Sequence, residues 1–65
     1  MPLSRRETDV LRLLADGLTN RQVAESLGIS IRTAEFHRDN IRRKLGAATR
    51  AELVAYARAA GIGAS

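Results

Sequence analysis

The chain has 65 residues, a net charge of +4 and no cysteine. This length limits it to one domain, residues 1–65, with a thin hydrophobic core, and the absence of thiols excludes disulfides and thiolate metal sites. A single histidine, no apolar run long enough to span a bilayer and no signal-peptide pattern predict a cytoplasmic domain without a metal, cofactor, small-molecule ligand or membrane partner.

Helical periodicity and end signals predict four helices, near residues 5–16, 20–27, 31–45 and 50–60. Each periodic segment is followed by a glycine, which easily adopts the left-handed conformation that closes a helix. These glycines are Gly17, Gly28, Gly46 and Gly61. No segment alternates apolar and polar residues over the length of a strand, so no sheet is expected. The predicted fold class is all-α, a four-helix bundle.

The predicted helix starts agree with the predicted ends. Three starts carry a capping box, in which a hydroxyl accepts from one free backbone amide and a Glu or Gln three residues later accepts from another. These pairs are Ser4 with Glu7, Thr19 with Gln22, and Thr49 with Glu52. Ser30 caps the third helix without such a partner. Glu7 has a second predicted role, an ion pair to a basic residue of the third helix.

One apolar stripe on each helix is predicted to form the core, because its members recur at the spacing of one helix face. The stripes consist of Val10, Leu11 and Leu14; Val23, Ala24 and Leu27; Ala34, His37, Ile41 and Leu45; and Leu53, Tyr56, Ala57 and Ala60. His37 is expected to be a packed, hydrogen-bonded residue and not a proton shuttle, since no catalytic partner accompanies it. With no glycine-rich phosphate loop and little mass for a pocket, an enzyme is not expected.

The positive charge is concentrated in one segment. Residues 31–50 contain six basic side chains and only two acidic ones, and the rest of the chain has equal numbers of each sign. Clustered charge of this kind favours a polyanionic partner. By charge alone, a solvated helix face is an equally good interpretation.

The second and third helices are separated by the short break "LGIS", Leu27 to Ser30. A break of this length containing a glycine is typical of a helix-turn-helix, whose second helix enters the major groove of DNA. On the third helix, the side opposite the core stripe carries Arg32, Phe36, Asp39 and Arg43. An outward phenylalanine can pack on a thymine methyl group; the alternative is an ordinary exposed ring.

The stretches "LSRRETDVLRLLADGLTNRQVAESLGIS", "RTAEFHRDNIRRKLG" and "TRAELVAYA" resemble the DNA-binding domain of LuxR/FixJ-type (GerE-like) transcription factors, over nearly the whole chain. The resemblance implies a helix-turn-helix domain with the third helix in the major groove and the fourth forming a dimer across a two-fold axis. The base-reading positions of the family match Glu35, Phe36 and Asp39. Together with the outward cations, the predicted base-reading set is Arg32, Glu35, Phe36, Asp39 and Arg43.

Two carboxylates in this set depart from the lysines that some members of the family carry. Either could accept a hydrogen bond from a cytosine amine. Alternatively, Glu35 could pair with Arg38, and Asp39 with Arg43, to orient those arginines. For Glu35 we favour cytosine contact or an orienting role; for Asp39 both interpretations stay open.

Phosphate contacts are predicted at helix starts, where free amides and the helix dipole favour anions, and at cations near the groove. The predicted set is Asn20, Arg21, Ser30, Thr33, Asn40, Arg42, Lys44 and Arg50, with Arg32 and Arg43 adding charge. Such contacts position a protein on DNA without reading sequence.

The fourth helix has a second face of mostly small residues: Ala51, Val54, Ala55, Arg58 and Ala59. Alanine is the best helix former, so this face could simply reflect helix propensity. The functional interpretation is a flat dimer interface, used on DNA with half-sites about one helical turn apart.

The predicted function is sequence-specific binding of double-stranded DNA as a bacterial transcriptional regulator. RNA polymerase is a further candidate partner. The resemblance favours the excised C-terminal effector domain of a response regulator, although stand-alone GerE-like members also exist. A helical protein-interaction module and the promoter-reading domain of a sigma factor are alternatives, and salt-dependent affinity for duplex DNA separates the first of these from DNA binding.

Overall fold

The computed structural model describes residues 2–62, and four α-helices make up most of this range. They are α1 (Arg5–Ala15), α2 (Asn20–Leu27), α3 (Ile31–Leu45) and α4 (Arg50–Ala59). No strand occurs within residues 2–62, so the all-α prediction is confirmed, with each helix end within one residue of its predicted position. The extreme ends of the predicted domain, Met1 and residues 63–65, lie outside the described residues.

All three predicted capping boxes are present, and Ser30 caps α3 alone. In the first box, the Ser4 amide donates to Glu7 Oε1 at 2.8 Å, and the Glu7 amide donates to Ser4 Oγ at 3.1 Å. Gly28, which ends α2, has a φ of 68°. A side chain at this position would meet no atom within 4 Å, so glycine is required there by the backbone conformation and not by lack of space.

The core is formed by nine buried apolar side chains from all four helices. They are Val10, Leu11, Leu14, Val23, Ala24, Ala34, Ile41, Leu53 and Ala57. Helix α1 packs against each of the other three helices, and α3 packs against α1 and α2. The amphipathic first helix therefore supplies the largest share of the core, and the helix-turn-helix pair α2–α3 rests on it.

Two core predictions for α4 are wrong. Tyr56 is 44% exposed, and Ala60 is exposed beyond the end of the helix. The main packing partner of α4 is α1 alone, so only the narrow line through Leu53 and Ala57 is buried. His37 is half-buried at the edge of the core, with its ring centroid 6.0 Å from that of Phe36.

A buried ion pair fixes α3 to α1. Lys44 Nζ, near the end of α3, donates to Glu7 Oε1 at 2.7 Å, and Glu7 is only 5% exposed. The hydrogen bond from Lys44, followed by that from the Ser4 amide, holds the pKa of the Glu7 carboxyl below its ordinary value despite burial. The predicted bond between Glu7 and a basic residue of the third helix is thus confirmed, and the basic residue is Lys44.

Candidate nucleic-acid interface

Helices α2 and α3 form a helix-turn-helix through a short connection, residues 28–30. The Ile29 amide donates to the Ala24 carbonyl at 3.0 Å and closes the turn. Ala24 of α2 and Ala34 of α3 are both buried, and the two helices pack against each other. Small side chains of this kind permit close approach of packed helices.

The five predicted base-reading side chains are exposed along α3. They are Arg32, Glu35, Phe36, Asp39 and Arg43. Phe36 is 59% exposed, whereas Ala34 and Ile41 on the other side of the same helix are almost fully buried. The structure therefore confirms which side of α3 faces outward, and this side combines cations, carboxylates and one apolar ring. Their roles in reading bases stay predictions.

The carboxylates on this surface have different surroundings. Asp39 Oδ1 lies 3.3 Å from Arg38 Nη2 and 3.8 Å from Arg42 Nη1. Arg43, its expected partner, donates instead to Asn40 Oδ1. Among residues 2–62, Glu35 forms no side-chain hydrogen bond or ion pair, so the pairs Glu35–Arg38 and Asp39–Arg43 are both wrong. Arg38 pairs with Asp39 and not with Glu35. Arg43 donates to Asn40 and not to Asp39.

The starts of α2 and α3 provide backbone amides without a nearby carboxylate. Neither helix has an acidic residue in its first turn, whereas α1 and α4 each have one. At α3, Ser30 Oγ accepts from the Thr33 amide at 3.0 Å and lies 2.8 Å from the Thr33 hydroxyl. Asn20 and Arg21 occupy the first two positions of α2. The positive ends of both helix dipoles are thus left available to anions.

The predicted phosphate-binding cations fall into two groups. Arg21 is exposed, as is Arg32, and neither makes a side-chain hydrogen bond within the described range. The other four are engaged with protein atoms: Arg42 with the Ala48 carbonyl at 2.8 Å, Arg43 with Asn40, Lys44 with Glu7, and Arg50 with the carbonyls of Leu14 and Leu18. Sequence reasoning missed this division, except for the expected partner of Glu7.

The small-residue face of α4 is also accessible. Ala51, Ala55, Arg58 and Ala59 are exposed, and Val54 is half-buried.

In the part of the chain that the structure describes, no group of His, Cys, Asp or Glu side chains could hold a metal ion. None of its helices is long and apolar enough to cross a membrane.

The family model for bacterial regulatory proteins of the luxR family, GerE, matches residues 1–57. The chain belongs to this family. The family consists of DNA-binding domains of transcription regulators and is not a class of enzymes. The resemblance carried by the three quoted stretches is thereby confirmed.

Relatives of this LuxR-family chain include the transcriptional regulatory protein MctR of Rhizobium johnstonii, which is 49% identical over 61 residues, 94% of this chain and 28% of MctR. The Fimbriae Z protein of Salmonella typhimurium is 48% identical over 58 residues, 89% of this chain and 28% of that protein. The crystal structure of the response regulator ChrA, from a heme-sensing two-component system, aligns with a TM-score of 0.84 and 41% identity, covering 89% of this chain and 29% of ChrA. The chain thus spans less than a third of the length of these proteins.

Proposed function

We propose that α3 enters the major groove of double-stranded DNA and reads base edges with its outward side chains. The observation that carries this proposal is the mixed, exposed surface of α3, opposite a tightly packed core side. A helix that only faced water would not need an apolar ring amid charges, whereas a base-reading helix can use one against a thymine methyl group. The base-reading set is Arg32, Glu35, Phe36, Asp39 and Arg43.

The two carboxylates have different roles in this proposal. Glu35 is exposed and has no side-chain partner among residues 2–62, so its oxygens can accept from a cytosine amine. Asp39 lies between Arg38 and Arg42. There it partly neutralises their charge and orients them, so that within the base-reading set Asp39 acts by orienting these arginines and not by accepting from a base.

Phosphate contacts from both sides of the groove position α3. The helix starts at Asn20, Ser30 and Thr33 have no acidic residue in their first turn and supply backbone amides and hydroxyls, and Arg21 supplies charge beside the first of them. Asn40, Arg42 and Lys44 lie further along α3, but each already bonds or is bonded by a protein group. We therefore assign most of the charge neutralisation to Arg21 and Arg32.

The domain acts as a homodimer on DNA in this proposal, through the face of α4 that carries Ala51, Val54, Ala55, Arg58 and Ala59. Small exposed residues let two helices approach closely, and a two-fold dimer matches an inverted repeat in the DNA. The regulator is a cytoplasmic response regulator, of which this chain is the effector domain, and the likeness to response regulator ChrA supports this assignment. Contact with RNA polymerase would complete the regulatory role.

The test is a binding selection from random duplex DNA near physiological salt, followed by sequencing of the bound fraction. We expect a short motif in inverted orientation. Glu35→Ala should lose preference at a cytosine, and Phe36→Ala at a thymine, each by roughly tenfold. Arg12→Gln, which removes an exposed charge of α1 outside the helix-turn-helix, serves as the control and should select the same motif as the wild type.

Other results would contradict parts of the proposal. A selection without any motif, with binding lost on modest addition of salt, would leave only non-specific electrostatic attraction. A motif recovered without a second half would contradict the dimer. Unchanged base preferences in Glu35→Ala or Phe36→Ala would remove that residue from the base-reading set.

A further inference from the structure

Arg50 is the first residue of α4, but its side chain reaches the turn between α1 and α2. Its Nη2 donates to the Leu14 carbonyl at 3.3 Å and also to the Leu18 carbonyl. Leu14 belongs to the last turn of α1, and Leu18 directly precedes Thr19, the cap of α2. A single guanidinium therefore connects the start of α4 with the end of α1 and the start of α2.

The location of this charge is explained by α1 and not by α4. A cation in the first turn of a helix opposes the dipole of that helix, whereas a cation at a carboxyl end is stabilised by the free carbonyls. As the first residue of α4, Arg50 opposes the dipole of α4. Its guanidinium, however, donates to the Leu14 carbonyl at the carboxyl end of α1, where a cation is stabilising. Its Nη2 carries two N–H bonds that diverge in the guanidinium plane, so that one nitrogen can donate to two neighbouring carbonyl oxygens.

Leu18 is anchored at both of its backbone polar groups. Its amide donates to the Leu13 carbonyl at 3.2 Å, and its carbonyl accepts from Arg50. Asn20 and Arg21, which the proposed function places on the DNA backbone, follow within three residues. The position of the first turn of α2 relative to α1 and α4 consequently depends on the bond from Arg50.

We infer that Arg50 is a positioning residue of the DNA interface: it holds the first turn of α2 at the phosphate backbone and does not itself neutralise a phosphate. This inference rests on the proposed function and replaces the sequence-based assignment of Arg50 to phosphate binding. A side chain that supports a contacting residue acts through geometry. Its loss lowers affinity without changing the number of counterions that binding releases.

The experiment compares Arg50→Gln and Arg50→Lys with Arg21→Gln, by fluorescence anisotropy on a labelled duplex that carries the selected motif. Affinity is measured over a series of salt concentrations, well below the melting temperature of each variant. For Arg50→Gln we expect about a tenfold loss of affinity with an unchanged slope of log K against log salt. For Arg21→Gln, the magnitude of this slope should fall by about 0.9, the value for one lost phosphate contact.

Arg50→Lys separates charge from geometry. Lysine keeps the charge but lacks the planar donor pair, so we expect reduced affinity with an unchanged salt slope. In the DNA-free protein, the backbone amide resonances of Thr19 and Asn20 should shift in both Arg50 variants, and the Glu25 amide, near the other end of α2, provides the internal reference.

Each alternative gives a different result. A slope that falls in Arg50→Gln as it does in Arg21→Gln, or full affinity in Arg50→Lys, would make Arg50 a phosphate ligand and overturn the inference. A lower melting temperature with wild-type affinity in the folded protein would overturn it in favour of a purely structural bond. Unmoved Thr19 and Asn20 resonances would overturn it as well, because the start of α2 would then not depend on Arg50. A wild type that does not bind the duplex would overturn the proposed function itself, and the inference with it.

Discussion

Replacing Lys44 by methionine should strongly destabilise the domain, because it leaves a carboxylate buried without its cation. The side chains of Lys44 and Glu7 are 23% and 7% exposed, and their charged atoms are 2.7 Å apart. Removing one partner of a fully buried pair costs about 3–5 kcal/mol. Glu7 keeps its 2.8 Å bond from the Ser4 amide, so we expect a loss of about 2 kcal/mol from the free energy of unfolding.

For a domain of this size, that loss corresponds to a fall of roughly 10 °C in melting temperature. Thermal and urea unfolding, followed by circular dichroism, measure it. Glu7→Gln should cost less, about 1 kcal/mol, because Lys44, whose side chain is less buried than that of Glu7, can turn its amine to water, and the amide oxygen still accepts from the Ser4 amide.

The double variant Glu7→Gln/Lys44→Met completes a double-mutant cycle. It should recover most of the loss in Lys44→Met, since neither charge is then buried alone, and the coupling free energy should be at least about 1 kcal/mol. Simple addition of the two single effects, or a change below about 0.5 kcal/mol in Lys44→Met, would refute the claim that this pair stabilises the attachment of α3 to α1.

Three further outcomes follow from the structure. Folding lowers the pKa of Glu7, so the stability that this carboxylate contributes is complete above its unfolded pKa, near 4.5, and is lost as the pH falls through the lower folded pKa. A pH series of urea unfolding should show a smaller loss of stability in acid for Glu7→Gln than for the wild type. Gly28→Ala should cost about 1–2 kcal/mol, because φ is 68°, whereas Ser26→Ala on the exposed side of α2 should change melting temperature little, and equal effects would be inconsistent with backbone strain. Leu53→Ala should lower the free energy of unfolding by about 2–5 kcal/mol, whereas Tyr56→Ala should lower it by less than about 1 kcal/mol. A larger loss for Tyr56→Ala in chemical unfolding would show that the Tyr56 ring is part of the core.

Much of the fold could be predicted because its signals are local. A capping box such as Ser4 with Glu7 lies within four residues, and so its geometry depends little on the rest of the chain. The left-handed glycines at the helix ends are equally local. The outward direction of Phe36 follows from the period of α3 once Ala34 and Ile41 are assigned to the core.

The errors arose where the answer depended on neighbours in space. The pattern of α4 allowed a stripe through Tyr56 and Ala60, but this helix has one main packing partner and buries only Leu53 and Ala57 fully. The ion pairs of α3 also differed from expectation, because several spacings place an arginine within reach of Asp39. Sequence spacing permits each of these pairs, and the side-chain packing selects among them.

Four capped helices, the helix-turn-helix and a basic third helix can be predicted from the sequence alone, because they depend on local backbone preferences, periodicity and the order of charges along the chain. Which cations within residues 2–62 are engaged by protein groups depends on the packing of the helices. Lys44, separated from Glu7 by 37 positions, and Arg50, separated from Leu18 by 32 positions, find their partners when α1 packs against α3 and α4. A long flexible side chain has no local signal for such a choice, since its partner is brought within reach only by folding.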